Sequence, residues 1–124
     1  MTQIELTGRR ILLVEDEPLV ALLLESIFED EGCVIIGPYN DLNSALGAAQ
    51  NGDVDAAVLD VNLAGKAVFP VAEVLSKRGV PFMLLSGYGK TRLPDDRRHW
   101  PVCAKPFKTE ELLSTLRGAI AAIG

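Results

Sequence analysis

The sequence predicts a doubly wound α/β fold, in which a five-stranded parallel sheet carries helices on both faces. Short apolar runs alternate with longer segments whose apolar residues recur every three or four positions. Strands that are apolar along their whole length are typical of a sheet covered on both faces. Helices between such strands favour parallel pairing through right-handed crossovers. At 124 residues, we expect a single domain over residues 1–124.

The first two strands and their helices have clear boundaries. Arg10–Val14 is an apolar run that stops at three acidic residues followed by Pro18. The helix predicted next begins at this proline and ends at a glycine, and its apolar face is Val20, Leu23, Leu24, Ile27 and Phe28. A second strand over Cys33–Ile36 precedes a helix that Asp41 can cap.

The third and fourth strands are predicted at Ala56–Leu59, which runs into Asp60, and at Pro81–Leu85. The segment between them has a helical stripe in which proline is tolerable near the first turn. The residues of this stripe are Val68, Val71, Ala72 and Leu75. From Tyr88 to Trp100 no stripe is present and glycine and proline interrupt the pattern, so we expect a short or irregular fourth helix.

The fifth strand is predicted at Val102–Ala104, and the last helix follows it. Thr109 can cap this helix, and two glutamates then lie at its positive end. Its predicted buried face is Leu113, Leu116, Ile120 and Ile123.

Composition excludes several function classes. The formal net charge of -5 speaks against nucleic-acid and anionic-membrane binding, which need a basic face. No apolar run reaches the roughly 20 residues of a membrane span, and the N-terminus lacks a signal-peptide core. We therefore expect a cytoplasmic protein. Cys33 and Cys103 lie far apart without CxxC spacing, which favours buried thiols over a zinc site.

Polar side chains follow four of the predicted strands. In doubly wound sheets, ligand-binding groups gather beyond the carboxyl ends of the strands, where the strand order switches. The residues at these ends are Glu15, Asp16, Asp60, Ser86 and Lys105. They should therefore meet at one edge of the sheet.

The acidic residues at this edge need a counter-charge. Two negative charges about 4 Å apart repel by roughly 4 kcal/mol at an effective dielectric of about 20, so Asp16 and Asp60 would be costly side by side. Mg²⁺ fits this site because it prefers a few carboxylate oxygens and takes its remaining ligands from water or a phosphoryl group. Lys105 would supply a second positive charge.

The segments LLVEDEP, VLDVNL, LLSGYG and AKPF resemble the four signature segments of response-regulator receiver domains, in order and across essentially the whole chain. The resemblance implies a flavodoxin-like fold and a stand-alone switch of a two-component phosphorelay. Its phosphoacceptor would be Asp60, phosphorylated in a Mg²⁺-dependent reaction by a sensor histidine kinase or a histidine phosphotransfer protein. Such a switch is no enzyme, although slow self-dephosphorylation is compatible with its acyl phosphate.

The resemblance also implies a role for each neighbouring residue. Ser86 and Lys105 would bind phosphoryl oxygens, which agrees with the positioning and charge neutralisation that phosphoryl transfer requires. The metal ligands would be Asp16, Asp60 and the main-chain carbonyl of Asn62, with Glu15 beside the metal or acting through water.

The segments VFPVAEVLSKRGVPF and LLSGYG are similar to an alphaproteobacterial subset with a Phe-Ala-Thr-Gly-Tyr-like sequence at the fourth strand, although Leu84, Leu85 and Ser86 depart from it. Val102 stands where receivers usually have a switch aromatic. We therefore expect Ser86, Tyr88 and the segment from Tyr88 to Trp100 to carry the conformational change.

Simpler interpretations exist for several of these residues. Glu15-Asp16-Glu17 can be an acidic first turn of a helix, and Asp60 can be a turn residue. His99 is expected at the surface and Trp100 against the sheet edge. Residues 95–98 (DDRR) are expected to be a solvated charge run.

Two other functions compete with the switch. A phosphatase with a nucleophilic aspartate would usually have a second acid two residues on, where this chain has Asn62. A receiver-like binding module without phosphorylation would keep the fold and lose the site. The downstream output and the oligomeric state are left open by the sequence.

Overall fold

The computed structural model describes residues 4–87, 93–97 and 99–123. The strands of the main sheet are β1 (Arg10–Val14), β2 (Val34–Tyr39), β3 (Ala56–Asp60), β6 (Phe82–Ser86) and β7 (Val102–Ala104). A separate hairpin consists of β4 (Asn62–Leu63) and β5 (Lys66–Ala67). The helices are α1 (Pro18–Asp30), α2 (Leu42–Asn51), α3 (Phe69–Arg78) and α4 (Thr109–Ile123). None of the helices in these described ranges is long and apolar enough to cross a membrane.

The main sheet is parallel throughout, with the strand order β2-β1-β3-β6-β7. The chain moves from β1 to one edge and then returns to build the other side from β3. The order therefore switches between β1 and β3, and a crevice opens beyond their carboxyl ends. The predicted doubly wound fold is confirmed.

Each central strand contributes to two cores, one on each face of the sheet. In β1, Leu12 and Val14 pack with the side chains of α2 and α3. Ile11 and Leu13, which point to the opposite face, pack with α1 and α4. Since successive side chains of a strand alternate between faces, covering both faces explains why the strands are apolar throughout.

Several helix boundaries follow from the predicted signals. Pro18 and Pro70 lie in the first turns of α1 and α3, where a missing N–H is harmless. Asp41 caps α2, because its Oδ1 accepts a hydrogen bond from Ser44 N at 2.8 Å. Thr109 is not the cap predicted for α4: it is the first helical residue, and the first helical bond runs from Leu112 N to the Lys108 carbonyl.

The predicted helix faces are partly wrong. Leu23 of α1 is 51% exposed, and small Ala21 is buried in its place. Ala21 and Leu23 flank the shared positions Leu24, Ile27 and Phe28 on opposite sides, so periodicity alone does not decide which side meets the sheet. Ile123 of α4 is 53% exposed, whereas Leu112 is fully buried. The buried face of this helix therefore includes Leu112, which the prediction omitted, and excludes Ile123.

Strand β2 is longer than predicted and does not include Cys33. It continues through Pro38 to Tyr39, which pairs with Val14 after an irregularity in the register. The strand lies at the sheet edge, where proline does not interrupt an inner ladder. Cys33 precedes the strand, and both it and Cys103 are buried free thiols as predicted. Burial raises the pKa of each thiol.

The segment before β7 has a single 3₁₀ turn, Asp95–Arg97, in its described part, in agreement with a short or irregular fourth helix. Trp100 is buried and meets the ring of Phe82 edge-on at 5.3 Å. Arg97 is not merely solvated, because it pairs with Glu73 and lies 5.4 Å from the centre of the Trp100 ring.

Two further expectations concern this segment. His99 is exposed, as predicted. Tyr88, the proposed switch residue, lies outside the described residues, so its role stays a prediction.

Candidate functional site

A cleft of about 240 Å³ lies at the switch point of the sheet. Parallel strands bring their carboxyl ends to the same edge, and here the last residues of β3 and β6 and the residues just after β1 and β7 line one opening. The lining residues are Asp16, Glu17, Asp60, Val61, Asn62, Ala64, Ser86, Gly87 and Lys105. A larger groove of about 510 Å³ lies between Ile4 and α4, but Arg117 there already binds the Ile4 carbonyl and Glu31.

Three carboxylates predicted from the sequence converge in this cleft. Oxygens of Glu15, Asp16 and Asp60 all lie within 4.8 Å of one another. Glu15 and Asp60 are buried, and Asp16 is half-buried. Ionised carboxylates buried this close together are costly unless positive charge compensates them, so the site favours the binding of cations.

Lys105 supplies part of that charge. Its Nζ lies 3.2 Å from Glu15 Oε1 and 3.4 Å from Asp60 Oδ2. Burial lowers the pKa of Lys105, but the attraction of Asp60 and Glu15 outweighs it, and the pKa lies above the ordinary value. Lys105 therefore stays protonated, and its ammonium group contacts two of the three carboxylates, Glu15 and Asp60.

The excess of negative charge in the cleft affects the protonation of Asp60. Burial, followed by the hydrogen bond and the charge of Glu15, raises the pKa of Asp60 to about 7, against the opposing effect of Lys105. Without a further cation, Asp60 is thus partly protonated at neutral pH. Hard carboxylate oxygens around a shortage of positive charge fit Mg²⁺, which takes such ligands and retains water.

Main-chain N–H groups hold one oxygen of each carboxylate. Glu17 N donates to Glu15 Oε2 at 3.1 Å, and Asn62 N donates to Asp60 Oδ1 at 3.3 Å. Both are local contacts two residues apart. Asp16 Oδ2 instead accepts from Ala64 N at 2.8 Å, across 48 positions of the sequence.

Ser86 is placed as predicted. It is the buried last residue of β6 and lines the cleft. Its carbonyl accepts from Lys105 N at 2.9 Å, which fixes the two strand ends relative to each other. The structure therefore brings Glu15, Asp16, Asp60, Ser86 and Lys105 to one site and places Asn62 at its rim.

Sequence reasoning missed Ala64 and the hairpin that carries it. The available signal is Gly65, because glycine interrupts periodic segments and often marks a turn. Strands of two residues have no usable periodicity, so the hairpin was not predictable from the pattern of apolar residues.

Comparison with known proteins gives a consistent result. A family model described as the response regulator receiver domain matches residues 11–117. The transcriptional regulatory protein TcrA of Mycobacterium tuberculosis is 36% identical over 116 residues, which cover 90% of this chain and 46% of TcrA. This chain spans about half the length of the curated relatives it matches.

Two solved structures match this chain over nearly the whole length of both proteins. SdrG from Sphingomonas melonis is 34% identical with a TM-score of 0.76, over 97% of this chain and 98% of SdrG. The receiver domain of sensor histidine kinase PA1611 from Pseudomonas aeruginosa is 26% identical with a TM-score of 0.74, over 93% of this chain and 99% of that domain. That domain has a magnesium ion coordinated in its active site cleft.

Proposed function

We propose a role for each residue of the cleft on the premise that the chain belongs to the response regulator receiver domain family of two-component systems. The chain would act in the cytoplasm through its partners. Asp60 is the phosphoacceptor, and the chain is a switch rather than an enzyme. The observation that carries this proposal is the convergence of Glu15, Asp16, Asp60 and Lys105 in one cleft.

The transfer reaction follows from this arrangement. A carboxylate oxygen of Asp60 attacks the phosphorus of a phosphohistidine, the new P–O bond forms, and the P–N bond to the imidazole breaks. Lys105, 3.4 Å from Asp60 Oδ2, neutralises charge on the phosphoryl oxygens, and the Ser86 hydroxyl donates a hydrogen bond to one of them. Mg²⁺ supplies further charge neutralisation when bound, and it would be held by Asp16, Asp60, the Asn62 carbonyl and Glu15, the last directly or through water.

Intact mass tests this proposal. Wild type incubated with a small phosphodonor should gain one phosphoryl group with Mg²⁺ and none with EDTA. Asp60→Asn should gain none under either condition. Asp41→Asn is a matched control, because Asp41 is an exposed helix cap that asparagine replaces well. An unchanged mass of wild type with the phosphodonor and with candidate kinases would contradict the proposal.

The surface of α1 supports a protein partner as phosphodonor. Leu19 is 82% exposed and Leu22 is 62% exposed, and exposed apolar side chains grouped in this way mark interaction sites. A groove of about 390 Å³ continues this surface toward the cleft, since its lining includes Leu23, Lys105 and Phe107. We propose that a helix of a sensor histidine kinase or a histidine phosphotransfer protein docks here.

Separate phosphodonors test the docking surface. Leu22→Lys should slow transfer from a cognate protein donor and leave labelling by a small phosphodonor unchanged, because Leu22 lies outside the cleft lining. Val34→Lys replaces another exposed apolar residue on the edge strand β2 and should leave both reactions unchanged. Equal slowing by both variants would exclude a specific α1 surface.

We also propose that phosphorylation draws Ser86 toward the phosphoryl group and that Tyr88 and the segment up to Trp100 respond. Ser86 already lines the cleft, and SdrG from Pseudomonas melonis has been solved in a BeF3-activated conformation. Amide shifts measured with beryllium fluoride and Mg²⁺ test this for our chain. Shifts confined to the ends of β1 and β3 would contradict it.

A further inference from the structure

The β4–β5 hairpin lies directly beside the cleft and is closed by a two-residue turn. Ala64 and Gly65 at its tip have φ values of 50° and 88°, which is the pair of positive angles that the tightest hairpin turns require. Asn62 Oδ1 accepts a hydrogen bond from Gly65 N at 2.8 Å and closes the turn.

This hairpin is anchored in the core. Leu63 is 2% exposed and packs with Val68 in the core beside α3. Val68 N donates to the Val61 carbonyl at 2.9 Å, so both sides of the hairpin are fixed. The tip therefore has a defined position relative to β3.

The conformation of the tip determines where the Ala64 N–H points. The side chain of Ala64 is exposed, whereas its N–H donates to Asp16 Oδ2 at 2.8 Å. Glu15 Oε2 and Asp60 Oδ1 accept hydrogen bonds from residues only two positions away. Asp16, in contrast, is held by a different loop, which links the end of β1 to the loop after β3.

We propose that the β4–β5 hairpin is a positioning element for the metal site: the Ala64 N–H holds Asp16 Oδ2 and thereby fixes the Asp16 carboxylate beside Glu15 and Asp60. This inference rests on the proposed function, because it assigns a hydrogen bond that orients a metal ligand. Ligating carboxylates that are hydrogen-bonded in advance lose less freedom on metal binding, and removing such contacts typically lowers metal affinity about 10- to 100-fold.

Two glycine substitutions form a matched pair for the test. Gly65→Ala places a side chain at φ 88°, and Gly79→Ala does the same at φ 72° at the end of α3. A Cβ at either position meets no atom within 4 Å, so both changes act through backbone strain. Gly79 lies next to Val80 before β6, at the opposite end of the sheet from the cleft.

Mg²⁺ affinity is measured by amide NMR titration of the full chain, with the Ala64 amide proton as a second readout. Gly65→Ala should lower Mg²⁺ affinity about tenfold and shift the Ala64 amide proton upfield, since its bond to a carboxylate is weakened. Asn62→Ala, which opens the turn without adding strain, should act in the same direction. Gly79→Ala should retain wild-type affinity within about twofold.

Each other outcome overturns the inference. Wild-type Mg²⁺ affinity in Gly65→Ala, with the Ala64 amide shifted, would show that this contact does not position Asp16. An equal loss in Gly79→Ala would assign the effect to general destabilisation. A wild-type chain that binds no Mg²⁺ would remove the proposed function together with the inference, whereas binding that is intact in wild type and in Gly65→Ala would remove the inference alone.

Discussion

Replacing Asp60 by asparagine should stabilise the metal-free protein, and the gain should grow with pH. Asparagine keeps the size of the side chain and resembles the protonated carboxyl at every pH. The buried Asp60 has a pKa of about 7, against an ordinary value of 3.8. In the unfolded chain it ionises near pH 4, whereas in the folded chain it retains its proton until about pH 7.

The sign and size of the effect follow from this difference. Between about pH 4 and pH 7 the folded state binds more protons, so wild-type stability falls by up to about 1.4 kcal/mol per pH unit as the pH rises. Above about pH 7 Asp60 is ionised in both the folded and the unfolded state, so its effect on the free energy of unfolding no longer changes with pH. We therefore expect Asp60→Asn to match wild type near pH 4 and to exceed its free energy of unfolding by roughly 2–4 kcal/mol at pH 8.

Urea unfolding in EDTA, followed by the fluorescence of buried Trp100, measures this difference across the pH range. At pH 8, Mg²⁺ should raise the free energy of unfolding of wild type far more than that of Asp60→Asn, because the variant lacks the charge that the metal neutralises. Asp41→Asn should follow wild type at each pH. Parallel pH profiles for wild type and Asp60→Asn would refute the assignment of the charge imbalance to Asp60.

Three further outcomes are expected. Lys105→Met should destabilise the metal-free protein at pH 8 by about 2 kcal/mol or more in urea unfolding, because it leaves Glu15 and Asp60 without their cation; a variant as stable as wild type would contradict this. Trp100→Ala should lower the free energy of unfolding, measured by circular dichroism, by about 3–5 kcal/mol, since a buried ring against Phe82 is lost. Cys33 and Cys103, buried thiols with raised pKa values, should react with a thiol reagent at pH 7.5 only after urea is added, and fast labelling of the native chain would show that they are accessible.

The chemistry of the site was predictable because it depends on topology. Glu15, Asp16, Asp60 and Lys105 follow apolar runs that read as strands, and a parallel sheet brings strand ends together whatever the details of packing. Topology thus brings Lys105 to the same edge as Glu15 and Asp60, whereas the distances of 3.2 and 3.4 Å from its Nζ depend on side-chain packing.

Other features depended on information that a linear pattern lacks. Leu23 and Ala21 flank the apolar stripe of α1 on opposite sides, and tertiary packing buries the side of Ala21. Arg97 stands in a charged run, yet its partner Glu73 lies 24 positions away. The Ala64 contact to Asp16 spans 48 positions and uses a main-chain group, which no residue type reveals.

The division of the interior into two cores bears on how such chains diverge. Leu12 and Val14 belong to the layer of α2 and α3, and Ile11 and Leu13 belong to the layer of α1 and α4. A volume change on one face of a strand is thus absorbed mainly by one helix pair. With the proposed roles, the docking face on α1 can change to suit a new donor while the layer that seats the hairpin stays unaltered, so partner choice and metal binding would evolve separately on one small sheet.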